Sequence, residues 1–175
     1  MAEPSRLAKL LVGVSLTLLQ WMAHAEVLLG HVVGVSDGDT ITVLDDNKQR
    51  HVIRLMGIDA PEKTQAFGQK AKESLSELVF NKEVSVTWFK RDRYRRTVGQ
   101  VYVDDTDVCL EQIKRGMAWH YKQYEREQFV EDRSSYATAE EQARMIKMGL
   151  WNDYSPLSPN TFRKQFRSKY LGKKI

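Results

Sequence analysis

Cysteine is nearly absent. Cys109 is the only one in 175 residues, so no internal disulfide can staple the fold, and stability has to come from a packed core. It sits among apolar residues in VCLEQI, the setting of a small buried hydrophobe and not of a reactive thiol. Histidine is scarce too, with four copies and no Cys/His cluster, which excludes a zinc site of the usual ligand spacing. There is no internal repeat and no low-complexity segment, so solenoids and linkers are excluded. Excess positive charge is missing from the body of the chain. Residues 155–175 carry six Lys/Arg and no acid, whereas residues 26–154 carry 19 Lys/Arg against 22 Asp/Glu. The pI near 9.1 therefore belongs to the tail, and it is no argument that the body binds nucleic acid. What remains is ordinary for one soluble domain: 42% hydrophobic and 29% charged residues.

The first residues read differently. Arg6 and Lys9 precede the apolar run LLVGVSLTLL at 10–19, and Ala23-His24-Ala25 follows. The run is short for a membrane span, and the A-x-A pattern suits a cleavable signal peptide over residues 1–25. A secreted or periplasmic monomer is expected, with a domain at 26–154, a basic tail at 155–175 and no stable membrane association after cleavage.

Val27 to Val35 is mostly apolar or β-branched, Ser36-Asp37-Gly38-Asp39 is a hairpin-turn signal, and Ile41 to Leu44 reads as a second strand. Asp45 to Lys48 is a second turn, and HVIRLM at 51–56 a third strand. Phe67, Ala71, Leu75 and Leu78 recur at helical spacing. Val84, Val86 and Trp88, then Val98, Gln100 and Tyr102, alternate as two further strands. Val108–Met117 and about Arg133–Met148 are predicted helices, the second capped by Gly149 with Trp151 packing back. Five strands with a helix between the third and fourth fit a small closed β-barrel with helices (α+β), an OB-fold.

Three segments carry chemistry: SDGDT at 36–40, RLMGIDAPE at 54–62 and RDRYRRTVGQVY at 91–102. Asp39 begins the second strand and Asp59 follows the third, so a meander brings both carboxylates to one end. Their convergence is costly without a cation between them, and oxygen donors select a hard ion, calcium or magnesium. Two carboxylates imply weak binding, in the ~10⁻⁴–10⁻³ M range of extracellular calcium modules. Arg54 and one arginine of the 91–96 cluster can grip a phosphate from two sides, because a guanidinium fork donates two bonds to one phosphate.

Taken together, DGDT, R-L-x-x-I-D-x-P-E and D-R-Y-x-R resemble the staphylococcal nuclease (thermonuclease) family over about Leu29 to Trp151. The resemblance implies an OB-fold nuclease that uses Ca2+ to hydrolyse phosphodiester bonds of DNA and RNA. It implies metal ligation by Asp39, Asp59 and the carbonyl of Ala60, and catalysis by Arg54, Glu62 and Arg96. Arg93, Tyr94, Tyr121 and Tyr124 would line the substrate cleft, where tyrosines stack on bases. Arg95 departs from the family's pattern, standing where D-R-Y-G-R has glycine; Ala60 and Cys109 also replace common residues. His120 is expected at the surface, and His31 and His51 on strands without metal-ligand partners. The rival reading, a non-catalytic OB-fold that only binds nucleic acid, predicts loss of at least one of Asp39, Arg54, Asp59, Glu62 and Arg96. All five are present. In the tail, Ser158-Pro159 starts a helix with Phe162, Phe166 and Tyr170 on one face and the basic residues opposite. That helix either docks by its aromatics with its charges merely solvated, or serves as an arm for nucleic acid.

Overall fold

Alternating β-branched residues set the first half of the fold. The computed structural model describes residues 25–171, with side chains as far as Lys169; the expected signal peptide, Ala25 apart, lies outside the described residues, as does the side chain of Tyr170. Strands β1 (Glu26–Val35), β2 (Thr40–Leu44) and β3 (Arg50–Leu55) form an antiparallel meander. A two-residue strand, β4 (Ile58–Asp59), follows. After helix α1 (Gly68–Val79), strand β5 (Glu83–Arg91) pairs with the free edge of β1, and β6 (Thr97–Val103) pairs with β5. The parallel pairing of β6 with β3 closes the ring. This is the five-stranded barrel with helices that the strand pattern predicts, and closure leaves no long edge to aggregate.

The inward faces are aliphatic. Val32, Ile41, Val43, Ile53, Val86 and Val101 are all fully buried, each worth roughly 1.5–3 kcal/mol of transfer free energy. On β6 the barrel-facing residues include Val101, while Gln100 is buried among Asp107 and Tyr136, so the apolar face lies one residue off the alternation read from Val98 and Tyr102. Register shifts between Val32 and Gly34 and between Trp88 and Lys90 supply the bends a closed sheet needs. Ala71 and Leu75 of α1 cover the barrel, and Cys109 is the small buried hydrophobe its sequence context predicts.

The second half is helical. After β7 (Thr106–Asp107), helix α2 (Val108–Lys114) starts on the Asp107 carboxylate, which accepts from the amides of Cys109 and Leu110. It stops three residues before the predicted Met117, where Gly116 turns left-handed at φ 62°. Strand β8 (Trp119–His120) and a 3-10 segment (Lys122–Glu127) lead to α3 (Val130–Met145). That helix runs three residues earlier than expected at both ends and closes on Lys147 at φ 54°, not on Gly149. Gly149 serves a different purpose: a Cβ there would lie 2.3 Å from the carbonyl oxygen of Gly116, so the two glycines let the backbones touch. Trp151 does pack back, edge-on against Trp119 at 4.3 Å. Helix α4 (Pro159–Leu171) ends the described chain, with Ser158 Oγ accepting from the Thr161 amide at its start.

Candidate active site

Antiparallel geometry brings the acids together. The loop 36–39 closes β1 onto β2, and Thr40 pairs with Arg54 across β2 and β3. Gly38 lets this loop sit down on the helix layer, since a Cβ would meet the Cβ atoms of Ala60 and Ala71 at 2.7 Å. Gln112, fully buried on α2, donates to the Gly38 carbonyl at 2.9 Å and to that of Ala71 at 3.1 Å, while its own oxygen accepts from Ser74. The Asp39 side chain is thereby held in a fixed place: Oδ2 accepts from the Ala60 amide at 2.8 Å, and Oδ1 from Thr40 Oγ1 at 3.1 Å.

Asp59 is pinned from the other half of the molecule. Strand β4 pairs only with β8, Asp59 opposite Trp119 and Ile58 opposite His120. Glu140 of α3, 2% exposed, in turn accepts from the His120 amide and from Lys122 Nζ. The two acids are 7% and 3% exposed. One Arg54 nitrogen lies 3.1 Å from Asp39 Oδ2 and 3.2 Å from Asp59 Oδ1, so the carboxylates do converge on a shared cationic position. Burial pushes Asp39 up to about 7, against the downward pull of Arg54. Burial likewise raises Asp59, opposed by Arg163 and Arg54.

Arg96 reaches the same end from the β5–β6 turn. The parallel pairing of Ile53 with Thr97 and Arg54 with Val98 sets it beside the acids' strands. Its guanidinium is held by Asp92, with Nε and one terminal nitrogen each 2.8 Å from Oδ2, and the other points at Thr40 Oγ1 at 3.5 Å. Burial alone would raise the Asp92 carboxyl; the hydrogen bonds from Arg96 outweigh it and hold the group below the usual range. Arg93 and Tyr94 are exposed at the turn and bond each other, Arg93 donating to the Tyr94 hydroxyl at 2.8 Å. Tyr94 also lies under the Arg96 guanidinium, 5.5 Å from its ring centroid. The rings of Tyr121 and Tyr124 touch at a tilt of 60°, their centroids 4.8 Å apart. Burial, and next the charge of Asp59, raise the Tyr121 hydroxyl, which places that ring within the field of the acids.

Glu62 lies on the loop between β4 and α1, its side chain about two-fifths exposed. It faces a residue that the sequence reading left among the tail's charges. Arg163 of α4 donates to Glu62 Oε1 at 2.8 Å and to Asp59 Oδ1 and Oδ2 at 3.2 and 2.9 Å. Burial works against the Arg163 charge, but the bonds to Asp59 and Glu62 more than offset it and raise its pKa. Neither of the two roles expected for the tail's basic residues, solvated charge or free arm, describes this one. One histidine reading is corrected as well. His120 is buried, not superficial, with Nε2 3.0 Å from Gln128 Oε1. His31 is within hydrogen-bond distance of Glu83 and Asn81, and His51 of Asp45. Asp92 carries a legible signal, the i,i+4 spacing from Arg96; Gln112, Glu140 and Arg163 carry none.

The donor set suits a hard cation. Two buried carboxylates share one cationic position, and the donors they offer a metal are oxygens. Among the described residues no group of three or more His, Cys, Asp or Glu side chains is gathered to hold a metal, so carbonyl and water oxygens would have to complete the shell.

Comparison with known proteins gives the chain its relatives. The family described as staphylococcal nuclease homologue matches residues 52–153, which takes in Arg54, Asp59, Glu62 and Arg96; Asp39 lies ahead of the match. An uncharacterized endonuclease of Haemophilus influenzae is 45% identical over 134 residues, covering 77% of this chain and 72% of its own. An uncharacterized endonuclease of Escherichia coli O157:H7 is 40% identical over 153 residues, covering 87% and 95%. A micrococcal nuclease of Shigella flexneri is 40% identical over 144 residues, covering 77% and 80%.

Proposed function

Because this chain belongs to the staphylococcal nuclease family, we propose that it is a calcium-dependent nuclease that hydrolyses phosphodiester bonds of DNA and RNA. The observation that carries the proposal is the meeting of Asp39 and Asp59 on one cationic position, with Glu62 and Arg96 at its border. Asp39, Asp59 and the Ala60 carbonyl would hold the calcium ion, which supplies charge stabilisation for the phosphate and acidifies water. Glu62 orients the attacking water and takes up its proton. Water oxygen forms the new bond to phosphorus as the bond to the leaving sugar oxygen breaks, and that oxygen takes a proton from solvent. Arg54 and Arg96 meet the charge that builds on the equatorial oxygens, a task for preorganised planar donors. Tyr121, Tyr124, Arg93 and Tyr94 guide the strand by stacking and phosphate contact. Such a weak site works only where calcium is millimolar, which supports a secreted or periplasmic location.

The test uses purified protein with plasmid DNA and with an RNA transcript, in calcium, in magnesium and in chelator. Cleavage of both polymers in millimolar calcium, abolished by chelator, is the expected result. Full cleavage in chelator overturns the metal reading.

A further inference from the structure

The first turn of helix α4 and the residues leading into it dock on the rest of the fold. Gln65 Nε2 donates to the Leu157 carbonyl, and Asn160 donates to Gln123. Phe162, half-buried, shares a cleft with Pro61, Phe67, Trp119 and Leu150. The next turn brings a charged group to the acids. Arg163 takes both oxygens of Asp59 in a fork and Glu62 with the same guanidinium. Beyond it, residues 164–169 are exposed.

A carboxylate edge held by a guanidinium fork is not open to a divalent cation at the same oxygens. Asp59 Oδ1 is already shared between Arg54 and Arg163, each at 3.2 Å, and Oδ2 is taken by Arg163 at 2.9 Å. A doubly charged ion at this position also repels a guanidinium a few ångström away. The same contact occupies the Glu62 oxygen needed to hold water. We propose that Arg163 is an internal cation competing with calcium for Asp59 and Glu62, so that α4 is a latch which closes the site when calcium is scarce. The proposal rests on the metal reading above.

Competition has a reciprocal consequence: if the docked helix weakens calcium binding, calcium must undock the helix by the same factor. Apparent affinity falls by the fraction of molecules with the site free, so a latch shut about nine-tenths of the time weakens calcium about tenfold. The full chain carries the test: calcium titration followed by amide NMR, which reads affinity at the site and the environment of α4 together. Wild type is compared with Arg163→Gln and with Lys164→Gln, which removes an exposed charge from the same helix.

Arg163→Gln should bind calcium about tenfold more tightly, and Lys164→Gln within about twofold of wild type. In wild type, calcium should move the signals of residues 160–169 toward those that Arg163→Gln shows without calcium, with amide exchange across α4 accelerated. Equal or weaker calcium binding by Arg163→Gln, or α4 signals indifferent to calcium in wild type, overturns the latch alone. Absence of calcium binding from all three proteins overturns the metal reading and the latch with it.

Discussion

The two sides of the site are built in opposite ways. On the acid side, Asp39 and Asp59 are 7% and 3% exposed and held by a backbone amide, the β4–β8 pairing and a buried glutamine. On the arginine side, the 92–96 turn stands in solvent, with Tyr94 62% exposed and Arg96 fastened by Asp92. Charge explains the difference. Two buried carboxylates can stay near each other only if the surrounding scaffold is rigid and a cation offsets them, whereas a guanidinium that must meet a passing strand has to remain accessible. Precision is therefore supplied by the core on one side and by a single ion pair on the other.

Substitution of the acids should have the largest effect. Asp39→Ala or Asp59→Ala should reduce cleavage in calcium to the level seen in chelator, while Arg93→Ala on the exposed turn should alter chiefly KM. Initial rates on plasmid DNA decide this, and either aspartate variant retaining full activity breaks the two-carboxylate site. Next come the arginines, Arg54→Ala and Arg96→Ala, each lowering kcat by about 10²–10³. Lysine should rescue neither, because it lacks the fork. Rescue of Arg96 by lysine would mean that charge alone suffices on the exposed side.

Asp92→Asn sharpens the contrast further. It leaves Arg96 present but loosely aimed, and misplacement of that kind costs up to about 10² in rate. In the background of Arg96→Ala the same change should cost almost nothing, since the two residues act as one unit. Additive losses in the double variant would show Asp92 acting elsewhere. Smallest is a stability effect at Arg95, which adopts φ 65° where an L-residue is strained. Glycine relieves roughly 1–2 kcal/mol of that strain and loses roughly 0.4–1 kcal/mol through a freer unfolded chain. Arg95→Gly should thus stabilise the protein by about 0.5 kcal/mol, seen as a higher denaturant midpoint at unchanged slope. A lower midpoint would show that the Arg95 side chain contributes contacts worth more than its strain.

Much of the acid side was legible because it is local. Asp39, Arg54, Asp59 and Glu62 lie within 24 residues, and their convergence follows from two hairpin turns and period-2 alternation. The left-handed backbone at Arg95 follows from its standing in a glycine position. Harder to read were the residues that fix the site from afar. Gln112 reaches the Gly38 carbonyl across 74 positions, and Glu140 reaches the His120 amide across 20. Neither is marked by composition or spacing, since a buried polar side chain looks like any other until its partner is known. His120 is the same case: it lies under α3, 5.9 Å from the Tyr136 ring, though its neighbours in sequence suggest a surface.

The amino-acid sequence alone determined the five barrel strands and the meeting of Asp39, Arg54 and Asp59, because alternation, turn residues and clustered charges all act over a few residues. Tertiary structure alone decided what those groups touch. Arg163 meets Asp59 and Glu62 across 104 and 101 positions, and whether such a charge is solvated or buried against acids depends on where a helix docks, an outcome of packing that local sequence does not encode.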